Sequence, residues 1–134
     1  MDGVILSPLK RINHPKGEIF HAIKASDDGF SGFGEAYFSE IYKDETKGWK
    51  KHTEMTLNLI VAMGAVKFYI YNQETMEYFN TIISINNYNR LTIKPGLWVS
   101  FTGIEKKNIL LNVASIEHDP DESVNVSLDS FNVD

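Results

Sequence analysis

Residues 47–71, KGWKKHTEMTLNLIVAMGAVKFYIY, decide how the rest of the chain is read. A charged turn carrying Trp49 and His52 runs into an apolar stretch, breaks at Gly64, and resumes as a stretch that alternates. Residues 56–63 are nearly all apolar, with Asn58 the one amide, the pattern of a strand covered on both faces. Beyond the break, Val66, Phe68 and Ile70 fall on one face of an extended chain and Lys67, Tyr69 and Tyr71 on the other. That alternation predicts a half-buried neighbour reached through a tight turn at Gly64. Such a pair belongs inside a barrel or sandwich, with Lys50 and His52 at its rim.

Upstream, residues 4–6 form a short apolar run stopped by Pro8, an edge strand. Residues 18–24 alternate after a Pro-Lys-Gly turn, and residues 34–41 are strand-like. Downstream, strands are expected at 76–85, 90–93, 97–104 and 109–116, with a Lys-Pro-Gly turn before the third and a charged hairpin tip before the fourth. Residues 119–122 close one side of the barrel, and residues 123–134 read as a partner-seeking arm or a loose tail. No segment keeps a long helical period, and no repeat or linker interrupts the chain. Many short strands punctuated by Gly, Pro and Asn predict a single all-β domain over residues 1–134, a jelly roll or similar closed sandwich.

Composition narrows the function. The 134 residues suffice for one domain that buries roughly two-thirds of its unfolded surface. Thirteen basic against eighteen acidic side chains leave a net charge of -5, which argues against general nucleic-acid affinity but allows a local basic pocket for a diphosphate. The absence of cysteine excludes disulfides, thiolate catalysis and thiolate metal sites. The first residues lack a basic start followed by a long apolar core, and no run approaches the ~20 apolar residues that span a bilayer. The cytoplasm is the expected compartment, with no membrane or nucleic-acid partner. There is also no Gly-rich phosphate loop after a strand and no GxSxG.

The blocks KGWKKHTEMTLNLIVAMG (47–64), KPGLWVSFTGI (94–104) and ASIEHDPDE (114–122), with GEIF (17–20) upstream, resemble the cupin-fold sugar-nucleotide epimerases and ketoisomerases of surface-polysaccharide synthesis. The small dTDP-4-dehydrorhamnose 3,5-epimerase-related proteins are the nearest in pattern, and the resemblance covers about residues 8–122. It implies a homodimeric cupin-like jelly roll holding a nucleoside-diphosphate 4-keto sugar between its strands. It also implies chemistry without a metal or organic cofactor, because the substrate's own carbonyl stabilises the carbanion. In the rhamnose-pathway enzymes the base is a histidine in an Arg-Gly-Leu-His turn, whose places are taken here by Lys47, Gly48, Trp49 and Lys50. Lys50 therefore departs from the pattern at the base. In the related small proteins the turn reads Gly-Trp-His-x-His, and His52 matches the second histidine. The family's tyrosine acid lies just before the C-terminal turn, where this chain has Glu117 and His118.

The expected roles follow from that alignment. His52 is the general base or a hydrogen-bonded rim histidine, imidazole being the side chain type best suited to proton transfer near neutral pH. Lys50 is a catalytic or phosphate-binding amine or a solvated strand-end lysine. His118 is the facing acid or a plain loop residue. Lys47, Trp49, Tyr37, Asn58, Lys67, Tyr69, Arg90, Trp98 and Glu117 are candidate substrate contacts, although the period of two turns half of such strand residues away from any cavity. For a cupin metal centre the ligand places fall on Lys50, His52, Leu57 and Val99, leaving one donor of four, so no metal is expected.

Overall fold

The apolar stretch becomes β6 (Leu57–Met63) and the alternating stretch β7 (Ala65–Asn72), but the two do not pair. Contrary to the expected hairpin, Gly64 carries the chain from one sheet into the other. Its φ is +80°, and a Cβ there would stand 2.3 Å from the Lys107 carbonyl oxygen. Buried Asn108 braces this corner: Oδ1 accepts from the amides of Ala65 (2.9 Å) and Glu105 (3.0 Å), and Nδ2 donates to the Ile41 carbonyl (2.9 Å). A corner of this kind joins two layers where a two-residue turn would join two neighbours.

The structure, a computed structural model, describes residues 1–132. The remaining strands are β1 (Val4–Pro8), β2 (Arg11–Ile12), β3 (Ile19–Phe20), β4 (Glu35–Tyr42), β5 (Thr46–His52), β8 (Glu77–Ser84), β9 (Asn89–Ile93), β10 (Trp98–Gly103), β11 (Lys107–Ala114) and β12 (Ser123–Asn125). Sheet one has the order β1-β9-β6-β11-β4, sheet two the order β12-β5-β10-β7-β8, and β2 pairs with β3 in a small ribbon. All pairings between these strands are antiparallel. Two such sheets face to face form the expected cupin-like jelly-roll sandwich. Ile41, Leu59, Val61, Val66, Phe68, Ile70 and Leu91 are buried between them.

Both outer faces are partly covered, which explains the doubly buried strand. On sheet one, Ile60 and Val113 lie beneath Leu9, Phe20 and Ile23 of the N-terminal segment. Strand character in residues 18–24 is confined to Ile19–Phe20. Beyond it the backbone bonds to side chains instead of a ladder: the Tyr88 hydroxyl donates to His21 O (2.7 Å), and the Arg90 guanidinium donates to Ala22 O (3.0 Å) and Asp28 O (3.1 Å). On sheet two, the expected loose tail is docked. β12 extends the sheet beside β5, and Phe131 packs on Trp49, Tyr71 and Trp98. Residues 133 and 134 of that expected tail lie outside the described residues.

Candidate active site

A cavity of about 330 Å³ lies between the sheets where the edge strand β4 faces β5 and β12. Its floor is apolar: Leu57, Leu59, Val99, Phe101 and Leu110. Its polar wall carries Tyr37, Ser39, Lys47, Lys50, His52, Asn112 and Asn125. Among these lining residues are two lysines and an imidazole but no carboxylate, an electropositive hollow in a chain of net charge -5. The volume falls in the usual range of small-molecule sites.

Strand β5 delivers most of the charge. Lys50 and His52 share its inner face by the period of two. Lys47, three residues before Lys50, would face outward on a regular strand. The register, however, pairs Val99 with Lys50 and Phe101 with Lys47, so β5 spends an extra residue in a β-bulge and Lys47 turns inward. Gly48 at the bulge has φ +118°, and a Cβ there would lie 2.6 Å from the Val99 carbonyl oxygen. Lys47 Nζ reaches across the cavity rim to Ser39 Oγ (3.1 Å) and Glu40 O (2.8 Å) of the opposite sheet.

His52 is held by a residue that the sequence reading passed over as part of a turn. Its Nδ1 lies 2.6 Å from Glu122 Oε1, and the two side chains are 13% and 3% exposed. Glu122 Oε2 accepts from the backbone amides of Thr53 (3.1 Å), Glu54 (3.0 Å) and Met55 (2.9 Å). Burial pushes the Glu122 carboxyl upward, but the hydrogen bonds from His52, Met55 and Glu54 outweigh it and hold the group below the ordinary carboxylate value. An ionised Glu122 can only accept, so Nδ1 carries the proton in this bond, and His52 lines the cavity. No local signal marks Glu122. Asp119 caps a short turn over Pro120–Glu122 and its side chain accepts from the Asp121 amide, which sets the carboxyl's position.

The structure brings four of the sequence-predicted residues together: Lys47, Lys50, His52 and Tyr37, whose hydroxyl accepts from Asn112 Nδ2 at 3.1 Å. The others lie elsewhere. His118 and Glu117 are exposed in the loop after β11, so His118 does not face His52 across the cavity. Trp49 and Trp98 belong to an aromatic cluster on the outer face of sheet two, because they alternate with the inward residues of β5 and β10. Lys67 and Tyr69 share an outer face of β7, the ammonium 5.0 Å from the ring centroid. Asn58 and Arg90 face outward on sheet one, where they tie down the N-terminal segment through Gly29 O, Ala22 O and Asp27. Asn112 and Asn125 were missed; the signal available for Asn112 was an amide interrupting the apolar run of β11. Among the described residues there is no group of three or more His, Asp or Glu placed to hold a metal ion.

No protein-family model and no curated protein matches the sequence. Solved structures do. A dTDP sugar isomerase from Desulfovibrio desulfuricans is 28% identical, with a TM-score of 0.91 over 96% of this chain and 87% of that one. A variant of the 3,4-ketoisomerase QdtA from Thermoanaerobacterium thermosaccharolyticum, in complex with TDP-4-keto-6-deoxyglucose, is 22% identical, with a TM-score of 0.81 over 92% of this chain and 88% of that one. NovW, a 4-keto-6-deoxy sugar epimerase from the novobiocin gene cluster of Streptomyces spheroides, is 14% identical, with a TM-score of 0.85 over 95% of this chain and 70% of that one. The last two share the fold; the first shares sequence as well, along nearly the whole length. On that likeness, this chain has the cupin-like fold of these sugar-nucleotide epimerases and isomerases and is similar in sequence to one of them, the dTDP sugar isomerase.

Proposed function

We propose that the chain is an isomerase acting on a nucleoside-diphosphate 4-keto-6-deoxy sugar, as an epimerase or ketoisomerase that works by proton transfer beside the ketone. The observation that carries this reading is His52, hydrogen-bonded to Glu122 in the wall of a cavity that also carries two lysines. His52 Nε2 takes the proton from the carbon next to the carbonyl. The C–H electron pair moves into the new C=C bond and the carbonyl pair onto oxygen, where Lys50 stabilises the enolate. Returning a proton to the same carbon from the opposite face gives the epimer. Protonating the former carbonyl carbon, with loss of the neighbouring hydroxyl proton, gives the ketoisomer. Tyr37, on the sheet opposite His52, takes the acid role expected of His118. Lys47 at the rim suits the diphosphate. The reaction calls for no redox cofactor, since electrons neither enter nor leave the sugar.

On the sequence resemblance we place the activity in surface-polysaccharide synthesis, in the cytoplasm, with the chain acting as a homodimer. The exposed aromatics Phe38 (71%) and Tyr42 (68%) on edge strand β4 support a partner there. The test is incubation with TDP-4-keto-6-deoxyglucose in heavy water, following deuterium at the carbons flanking the ketone and the product sugar. Exchange that disappears in His52→Ala is the expected result. Tight binding without exchange, across several 4-keto sugars, would instead indicate a non-catalytic carbohydrate or nucleotide-sugar binder.

A further inference from the structure

The C-terminal segment brings two residues to the site, Glu122 at its start and Asn125 in the cavity wall. Glu122 itself is tied to residues 52–55 by its own carboxylate and by its carbonyl, which accepts from Thr53 N (2.8 Å) and Thr53 Oγ1 (2.7 Å), but beyond it the attachment by hydrogen bonds is slight. β12 is a three-residue edge strand, in register with β5 from Ser123 opposite His52 to Asn125 opposite Lys50. Past it, Val126 N donates to Trp49 O (3.1 Å) and Trp49 Nε1 donates to Leu128 O (3.2 Å). A strand so short holds its place only if side-chain packing holds it. That packing comes from Val126 and, further along, from the ring of Phe131, which stands 4.7 Å from the Tyr71 centroid and 5.4 Å from those of Trp49 and Trp98. Those three partners are 7%, 2% and 5% exposed, so the aromatic bed is built into sheet two and the strap seats onto it. Trp49 also lies in β5 between Gly48 and Lys50, so the ring that receives Phe131 belongs to the strand that presents the cavity's amines.

We infer that Phe131 is a positioning residue for the site: docked on Trp49, Tyr71 and Trp98, it clamps β12 onto β5, and thereby holds Asn125 in the cavity wall and shields the bond between Glu122 and His52 from water. This rests on the proposed role of His52, and it adds a latch outside the cavity, on the far face of the sheet. Releasing the latch frees β12, lets water reach the bond between His52 and Glu122, and removes Asn125 from the wall.

The test uses the full chain with Phe131→Ala and the ring-conserving Phe131→Tyr. Two quantities are read: the low-field proton resonance of His52 Nδ1, which a short bond to a carboxylate produces and solvent access erases, and deuterium exchange into TDP-4-keto-6-deoxyglucose. Phe131→Ala is expected to lose the resonance and to slow exchange on the order of 10- to 100-fold, the cost of a misplaced catalytic group. Phe131→Tyr is expected to keep both. A sharp Nδ1 resonance and unchanged exchange in Phe131→Ala overturn the inference. Loss of the resonance in a protein whose parent exchanges no sugar leaves the latch standing and removes the proposed reaction instead. Should Phe131→Ala fail to fold, Phe131→Leu, which keeps bulk without a ring, reads the same two quantities.

Discussion

His52 Nδ1 and Glu122 Oε1 sit 2.6 Å apart although 70 positions separate them in the chain. The carboxylate holds the imidazole, so under the proposed mechanism it would act on catalysis without touching substrate. His52→Ala is expected to lower kcat by about 10²- to 10⁴-fold, the usual worth of a general base. Glu122→Gln is the sharper probe: its amide can donate to Nδ1 and hold the proton on the wrong nitrogen. It is expected to cost about 10²-fold or more in kcat with KM nearly unchanged, measured by steady-state kinetics.

The same pair makes the fold sensitive to acid. The Glu122 carboxyl is depressed in the folded protein, so the folded state favours its ionised form. Its stabilisation is complete above the unfolded value near 4.5 and is lost as pH falls through the lower folded value. Melting curves of the parent and Glu122→Gln should therefore differ at neutral pH and converge under acid. A gap that stays constant across the titration would contradict the assignment.

The two cavity lysines are expected to separate kinetically. Lys47 sits at the rim, bonded to Ser39 and Glu40, where it can meet a phosphate in ground state and transition state alike. Lys47→Ala should raise KM, steepen less with salt, and leave kcat close to the parent value. Under the proposed mechanism Lys50→Met should lower kcat, because the enolate charge it would stabilise develops only during reaction. Tyr37→Phe should slow product formation more than the initial loss of substrate hydrogen, as fits a group that returns the proton.

Arg90 offers a contrast in stability. Its side chain is 3% exposed and donates to Ala22 O, Asp28 O and Asp27 on the outer face of sheet one. Arg90→Met should unfasten the N-terminal segment and cost about 2–4 kcal/mol in denaturant unfolding. Activity per folded molecule should be retained. A variant as stable as the parent but inactive would return Arg90 to the ligand's side of the sheet.

How far the sequence could be read is clearest along β5. The period of two placed Lys50 and His52 on one face correctly, and the apolar run of β6 announced its two-sided burial. The inward turn of Lys47 depends on a bulge at Gly48 that no spacing rule foretells. In sequence Trp49 and Trp98 stand open between core or rim packing and stacking on a ligand, because aromatics serve both; alternation with the inward residues sends them into an outer-face cluster. The change of sheet at Gly64 was illegible because a corner and a hairpin use the same glycine, and only the distant Asn108 distinguishes them. Glu122 eluded the reading for the same reason: its partner is far along the chain, and a capped Asp-Pro turn looks alike with or without one.

The strand order also governs how the molecule comes into being. Val4 pairs with Ile93, and His52 with Ser123, so neighbours in space meet only after long stretches of chain have been drawn together. Such pairings demand loop-closure entropy in advance and place the protein among slower folders. Because the hollow has walls from both layers, it exists only once those late encounters are made. A sugar nucleotide seated there is therefore expected to prolong the lifetime of the native state against unfolding, while doing nothing to hasten its formation.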